Sequence, residues 1–227
     1  MKRYYFLTTL LPELDIGKVP ELGSKELEFL LRLNLSPSDL KQIEVLRRLI
    51  DIDNIRLMIQ GESLSNGGNF TASELEEMLL HQETLPVYIL KFFTTYTSKQ
   101  EQLKHFSKLH HAFFAEEIPK QHGFIKEYLT VEREWRLLLT ALRAVNLNRD
   151  LKIEFHDEDP DDPFIKMLFE QSTSTTIPEP YEELKTIFER YNNKPFQLYQ
   201  MLAEWRFKKV EEIAGWHTFY IHRIFAY

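Results

Sequence analysis

Apolar residues recur every three to four positions along most of the chain, which is the spacing of one buried face of an α-helix. Start signals accompany several of these runs: a proline follows Ser36 at a first helical position, and residues 71–74 read Thr-Ala-Ser-Glu, a capping box. The pattern predicts helices over residues 24–31, 37–60, 71–81, 87–96, 98–117, 124–145, 163–170, 178–191 and 196–227. We therefore predict an all-α fold, a multi-helix bundle.

The sequence pattern of two short apolar stretches fits both a helix and a strand. Residues 4–11 fit either a buried strand or a first helical turn, and residues 151–155 fit either a strand or the end of a helix. The predicted all-α fold therefore holds at most a short strand near the N-terminus or at residues 151–155.

Glycine, proline and polar residues mark two breaks in the helical pattern. Residues 61–70 contain Ser-Asn-Gly-Gly-Asn and are predicted to be a loop, the most flexible segment of the chain. Residues 156–178 combine an acidic, proline-bearing stretch with a polar linker. The prediction is a single all-helical domain over residues 1–227, with two subdomains divided near 61–70 or 156–178 as the alternative.

The last apolar pattern runs to Tyr227 without a glycine or a charged tail. A helix normally ends with such a signal. We therefore expect either a chain truncated within a helix or a terminal helix that docks on a partner.

The composition of the chain argues against several classes of function. The 227 residues carry 28 Lys and Arg against 35 Asp and Glu, a formal net charge of −7. Phosphate contacts dominate affinity for nucleic acids, so this acidic balance argues against a nucleic-acid partner.

The chain has no cysteine, which excludes disulfides, cysteine-ligated metal sites and cysteine nucleophiles. No apolar run approaches the roughly 18 residues of a membrane helix, and no strongly basic amphipathic face is present, so only indirect membrane contact is expected.

Two groups of residues could carry chemistry. His105, His110 and His111 lie in one predicted helix, but two metal ligands on a helix need a spacing of three or four to share a face. Residues 157–162 are Asp-Glu-Asp-Pro-Asp-Asp, which alternates acids like a calcium loop but lacks its glycine. Phosphate-binding loops, nucleophile elbows and zinc-protease motifs are absent from the sequence. Surface histidines and a solvated loop are the favoured interpretation, and no cofactor or metal is expected.

Charged residues also flank the clearest apolar stripe, around Trp135. Glu132 and Arg136 are four residues apart and are predicted to form a surface ion pair. A buried network or a contact with a partner is the alternative that this position leaves open.

Aromatic residues make up 13% of the chain, and most fall on the predicted core faces. The clusters at the two ends, residues 4–6 and 216–227, are harder to bury completely. Exposed aromatic clusters mark protein interfaces, so one of these clusters is expected to contact another protein.

Three segments together resemble a known family. The first is Tyr-Tyr-Phe-Leu at residues 4–7, followed by Leu-Pro at 11–12. The second consists of Arg-Glu-Trp at 133–135, Leu139, Ala-Leu-Arg-Ala at 141–144 and Asn-Arg-Asp-Leu at 148–151. The third is Glu-Asp-Pro-Asp-Asp-Pro at 158–163. The chain resembles an uncharacterised bacterial family, domain of unknown function 2764, associated with V-type ATP synthase subunits. The resemblance spans nearly the whole chain, and its motifs are structural in type.

The resemblance implies a non-catalytic protein similar to the C subunit of a V-type ATPase, the helical funnel between membrane ring and central stalk. The implied partners are the central stalk and the membrane ring, and the implied location is the cytoplasm, at the inner membrane through the complex. It also implies further helix beyond Tyr227. The candidate partner-contact residues are Tyr4, Tyr5, Trp135, Arg136, Arg143, Arg149, Asp150, Asp161, Asp162, Trp216 and Tyr220.

Two other functions remain open from the sequence. One is a helical scaffold or regulator unrelated to the ATPase, which would have the same composition. The other, less favoured, is a metal-dependent enzyme built from the three histidines and the acidic loop. It requires both groups to converge on one cleft.

Overall fold

A computed structural model describes residues 4–12, 16–81, 85–171 and 181–216. Within these ranges the regular secondary structure is helical, with one short 3₁₀ turn at Ile118–Lys120 and no strand. The α-helices are α1 (Tyr5–Leu10), α2 (Ser24–Asn34), α3 (Pro37–Gln60), α4 (Ala72–His81), α5 (Val87–Thr95), α6 (Lys99–Lys104), α7 (Phe106–Glu117), α8 (Gly123–Asn146), α9 (Leu151–Glu154), α10 (Pro163–Gln171), α11 (Glu182–Tyr191) and α12 (Pro195–Trp216). The predicted all-α fold is confirmed.

Both stretches that fitted either a helix or a strand are helical. Residues 5–10 form α1, and residues 151–154 form α9. The side chain of Asp150 accepts a hydrogen bond from the backbone N–H of Lys152 at 2.9 Å. Such a cap satisfies one of the free N–H groups at a helix start, which favours a helical turn here.

The prediction of one long helix over residues 98–117 is wrong, because the structure has two helices, α6 and α7, separated at His105. His105 has φ −106° and ψ 18°, outside the helical region. Its imidazole stacks on the ring of Tyr96, with centroids 4.6 Å apart. Nearby, Gln102 is buried and donates from its side chain to the Tyr96 carbonyl at 2.9 Å. These contacts turn the chain before α7 begins.

The chain packs as two compact units whose border falls within α8, between residues 125 and 126. The sequence pattern predicts a single domain, with subdomains divided near 61–70 or 156–178 as the alternative, and both stay predictions. In the first unit, aromatic side chains of α5 and α7 pack edge to face, as Phe92 does on Phe106 with centroids 5.9 Å apart. In the second unit, side chains of α8 to α12 surround Trp205 in one apolar core.

The predicted loop at residues 61–70 is a loop in the structure, and two buried side chains of α3 hold it. Asp51, only 2% exposed, accepts hydrogen bonds from the backbone N–H and the side-chain amide of Asn69, both at 2.7 Å. Asn54 exchanges two hydrogen bonds with the backbone of Ser65, at 2.8 and 3.0 Å. A Cβ on Gly68 would fall 2.5 Å from the Asp51 carboxylate, so a glycine is required there. We call Asp51 and Asn54 the loop anchor; its contacts argue against a highly flexible segment.

In the described part of the chain, no helix combines the length and the apolar character needed to cross a membrane. The predicted helix start at residues 178–180 and the predicted continuation of the last helix over 217–227 lie outside the described residues.

Candidate functional site

The second unit contains a group of charged side chains centred on Glu132 of α8. Glu132 is 2% exposed, and Arg136 donates to one of its carboxylate oxygens at 2.9 Å. Arg206 of α12 donates to the other oxygen at 3.0 Å and to the hydroxyl of Tyr128 at 3.0 Å. We call Tyr128, Glu132, Arg136 and Arg206 the α8 network. The predicted pair of Glu132 and Arg136 therefore forms, but as part of a network of half-buried side chains around a buried carboxylate and not as an isolated surface pair.

The next residue of α8, Arg133, joins the acidic loop to the same helix. Its guanidinium donates to Glu158 and to Asp162, each at 2.9 Å. The other oxygen of Asp162 accepts from the backbone N–H of Phe164 at 2.8 Å, at the start of α10. A carboxylate at a helix start is favourable because it faces the unsatisfied N–H groups and the positive end of the helix dipole. Asp162 thus fixes α10 against α8.

Aromatic rings complete the surroundings of the network. The guanidinium of Arg206 lies over the Trp135 ring, 5.7 Å from its centroid, a cation–π contact. Trp135 and Tyr181 both approach Trp205, with centroids 6.5 and 6.1 Å away. The hydroxyl of Tyr181 donates to the carboxylate of Glu134.

The pKa values of Arg206, Tyr128 and Glu134 all lie above their usual values, for different physical reasons. Burial lowers the pKa of Arg206, but the charge of Glu132 and the Tyr128 hydroxyl outweigh it, so the pKa ends above its usual value. The pKa of Tyr128 is raised, first by burial and then by the nearby Glu132 charge. Burial also raises the pKa of Glu134, against the hydrogen bond from Tyr181, which lowers it.

The network is built to join helices more than to react. Both carboxylate oxygens of Glu132 accept hydrogen bonds from arginines, which fix the carboxylate between α8 and α12. The cavity beside Glu132 and Trp135 measures about 10 Å³, whereas ligand pockets span roughly 300–1,000 Å³. The arrangement can link α8 to α12; it does not offer room for a small-molecule substrate.

Four of the candidate partner-contact residues serve internal contacts. Trp135, Arg136 and Asp162 belong to the arrangements around α8 described above. The hydroxyl of Tyr4, in the first unit, hydrogen-bonds the carboxylate of Asp39 at the start of α3. These four side chains are half-buried, which reduces the surface that they can offer to a partner.

Four other candidates lie at the surface of the second unit. Arg143 is exposed, and Arg149 pairs with Glu154 at 3.4 Å. Asp150 caps α9, and Asp161 is 85% exposed and pairs with Lys166 at 2.8 Å.

The remaining three candidates cannot be placed. The backbones of Tyr5 and Trp216 lie in α1 and α12, but their side chains fall outside the described residues, as does the whole of Tyr220.

The two groups considered for metal chemistry have local partners. His110 lies 3.0 Å from the carboxylate of Asp53, and His105 stacks on Tyr96. In the acidic loop, Glu158 and Asp162 bind Arg133. Among the described residues, no group of three or more histidine or acidic side chains has the geometry to hold a metal ion.

One end of the second unit exposes large apolar side chains. Asn192, in the turn before α12, donates to Asn146 at the end of α8 at 3.3 Å, which brings these two segments together. Phe196 and Tyr199, one turn apart on α12, are 78% and 73% exposed. Val145 and Leu147 at the end of α8 are also exposed. We call Val145, Leu147, Phe196 and Tyr199 the apolar end; exposed apolar clusters are typical of protein interfaces.

Sequence reasoning missed several of these residues. Arg206 lies 74 positions from Glu132, and its charged guanidinium by itself predicts a place in solvent and not a buried partner. A signal was available in its position beside Trp205, on the apolar stripe of the last helix. Asp51 and Asn54 carried a similar signal, since both fall among the apolar positions of α3. A charged or amide side chain on a buried stripe requires a partner.

A family model described as "Protein of unknown function (DUF2764)" matches residues 1–227. An uncharacterized protein of Chlamydia pneumoniae is 30% identical over 219 residues, which cover 93% of this chain and 82% of that protein. An uncharacterized protein of Chlamydia trachomatis is 28% identical over 222 residues, covering 94% of this chain and 84% of that protein. No solved structure matches the chain significantly. The chain belongs to the DUF2764 family.

Proposed function

We propose that this member of the DUF2764 family is a non-catalytic interaction subunit of a V-type ATP synthase or ATPase. In this role it resembles the C subunit of that enzyme and helps to link or assemble the membrane ring and the central stalk. The observation that carries an interaction role is the apolar end, where Phe196 and Tyr199 stand exposed. The choice of the ATPase as the complex rests on the family resemblance of the sequence.

The arrangement around α8 supports a role without chemistry of its own. Glu132 is paired with two arginines, and Arg133 is paired with two carboxylates. Groups that are paired in this way hold a surface in a fixed shape, which a contact protein needs. The proposed place is the cytoplasmic side of the inner membrane, reached through the complex.

Affinity purification of the tagged chain from its native cells, followed by crosslinking mass spectrometry, tests the proposal. We expect subunits of the V-type enzyme among the crosslinked proteins, with links close to the apolar end. The absence of all ATPase subunits under mild conditions would overturn the proposal. Recovery of another protein through the same end would favour the scaffold alternative.

A matched pair of variants makes the purification specific. Phe196→Asp with Tyr199→Asp places two charges on the apolar end, and the recovered subunits should be lost. Leu80→Asp with Val87→Asp makes the same change at exposed apolar positions of the first unit and should leave recovery unchanged. An equal loss from both pairs would contradict the assignment to the apolar end.

A further inference from the structure

The first unit contains a wide groove between α2, α3 and the loop at residues 67–71. Its volume is about 820 Å³, and it is open to solvent along one side. Leu31 and Ile43 form its apolar floor and continue into the core of the first unit. Phe29, on the rim, is 65% exposed. We call this feature the α2–α3 groove.

The lining of the groove has a small excess of basic residues in a chain that is acidic overall. Its lining contains four basic and two acidic side chains: Lys25, Arg32, Arg47, Arg48, Glu28 and Glu44. Glu28 accepts from both Arg32 and Arg47, so one carboxylate serves two guanidinium groups. Arg48 pairs with Glu117 outside the lining. With Arg48 paired outside and Glu44 counted, the lining keeps a surplus of one positive charge, around Lys25 and the pair of arginines that share Glu28.

The wall made by the loop is preformed. The loop anchor holds Asn69 through hydrogen bonds of 2.7 Å to Asp51, and the Asn69 amide also donates to the Glu44 carbonyl at 2.9 Å. A groove whose walls are fixed before binding loses less conformational entropy when a partner enters.

We propose that the α2–α3 groove binds an acidic amphipathic helix of another protein. The apolar floor and Phe29 receive the apolar face of that helix, and the basic rim pairs with its Asp and Glu side chains. A helix is the fitting shape, because two packed helices leave a groove that accepts the ridge of a third. This proposal goes beyond the interaction role at the apolar end, and either can fail without the other.

The chain's own last segment is a poor alternative occupant on grounds of charge. Residues 217–227 contain an arginine and two histidines but no acidic residue. They would add positive charge to a basic groove.

Two synthetic helical peptides test the proposal, with the same leucines at helical spacing and with either Glu or Lys at every polar position. Binding to the full chain is measured by fluorescence anisotropy. We expect the Glu peptide to bind at least tenfold more tightly than the Lys peptide, and its affinity to fall as salt concentration rises. Equal affinities, or no binding of the Glu peptide up to its solubility limit, would overturn the proposal. Tighter binding of a peptide of residues 217–227 would overturn it as well.

Surface variants then locate the binding. Lys25→Glu with Arg32→Glu, and separately Phe29→Ala, should each weaken the Glu peptide about tenfold or more. All three side chains reach the surface, so the fold should survive, and circular dichroism checks this. Lys99→Glu and Leu80→Ala are the matched controls, at exposed positions of the same unit outside the groove. If the controls weaken binding as much as the groove variants do, the groove is not the site.

Discussion

Two buried carboxylates, Glu132 in the second unit and Asp51 in the first, are held in different ways. In the second unit, the α8 network pairs a buried carboxylate with two arginines, so that opposite charges meet. In the first unit, the loop anchor uses a carboxylate and an amide to accept hydrogen bonds from backbone and amide N–H groups, without a direct ion pair. The network joins two long helices, whereas the anchor seats one loop. Loss of a partner should therefore destabilise the whole second unit but only part of the first.

The largest effect should come from removing one charge of the α8 network. Arg206→Ala leaves the buried Glu132 with Arg136 alone and removes the contacts to Tyr128 and Trp135. Because Arg136 remains and the Arg206 side chain is 43% exposed, we expect the free energy of unfolding to fall by about 2–3 kcal/mol, less than for a fully buried pair. Urea denaturation followed by circular dichroism measures this loss.

A double variant serves as the control for this prediction. Glu132→Leu with Arg206→Met removes both charges and keeps apolar volume, so it should lose less stability than Arg206→Ala. A double variant that is less stable than the single variant would contradict an electrostatic role for the pair.

A smaller and more local effect is expected at the loop anchor. Asp51→Ala removes the acceptors for Asn69 and should cost about 2 kcal/mol. Hydrogen exchange followed by mass spectrometry should show faster exchange in residues 65–70 and little change in the second unit. Uniform acceleration across both units would contradict a local anchor. Asn54→Ala, which removes the two contacts to Ser65, should loosen the same loop.

The pH dependence of stability tests a property that the two units share. Burial raises the pKa of Asp51 and that of Glu134 above the usual value of about 4. Since the folded pKa exceeds the unfolded one, the folded state holds the proton more tightly, and stability falls as pH rises through the raised folded pKa. Glu134→Gln removes this dependence at one site but retains an acceptor for Tyr181. Denaturation at a series of pH values from about 4 upward should show the wild type losing stability relative to Glu134→Gln. A relative gain would contradict the raised pKa of Glu134.

The smallest effect is expected for an exposed ion pair. Asp161 and Lys166 lie in solvent, where a carboxylate and an ammonium gain little by pairing. Asp161→Asn should leave the thermal midpoint unchanged. A clear fall in the thermal midpoint would mean that the stability of the acidic loop depends on more than the hydrogen bonds from Arg133 to Glu158 and Asp162.

The sequence predicted the long helices well, because α3 and α8 keep an uninterrupted helical period and α3 begins with a serine cap. It failed at His105, since the break depends on stacking with Tyr96, which periodicity does not record. For the candidate site, the sequence identified Glu132 and Arg136, but the partner on α12 arises only when distant helices pack. The loop anchor was missed for the same reason.

Gly68 has a further consequence for the first unit. Since its missing side chain lets the loop lie flush against Asp51, a single added methyl group there would lift the backbone and move one wall of the α2–α3 groove. That change would alter the width of the groove and leave every charge in place. Shape and charge of this surface are thus governed by different residues, and each can be tuned while the other is held constant.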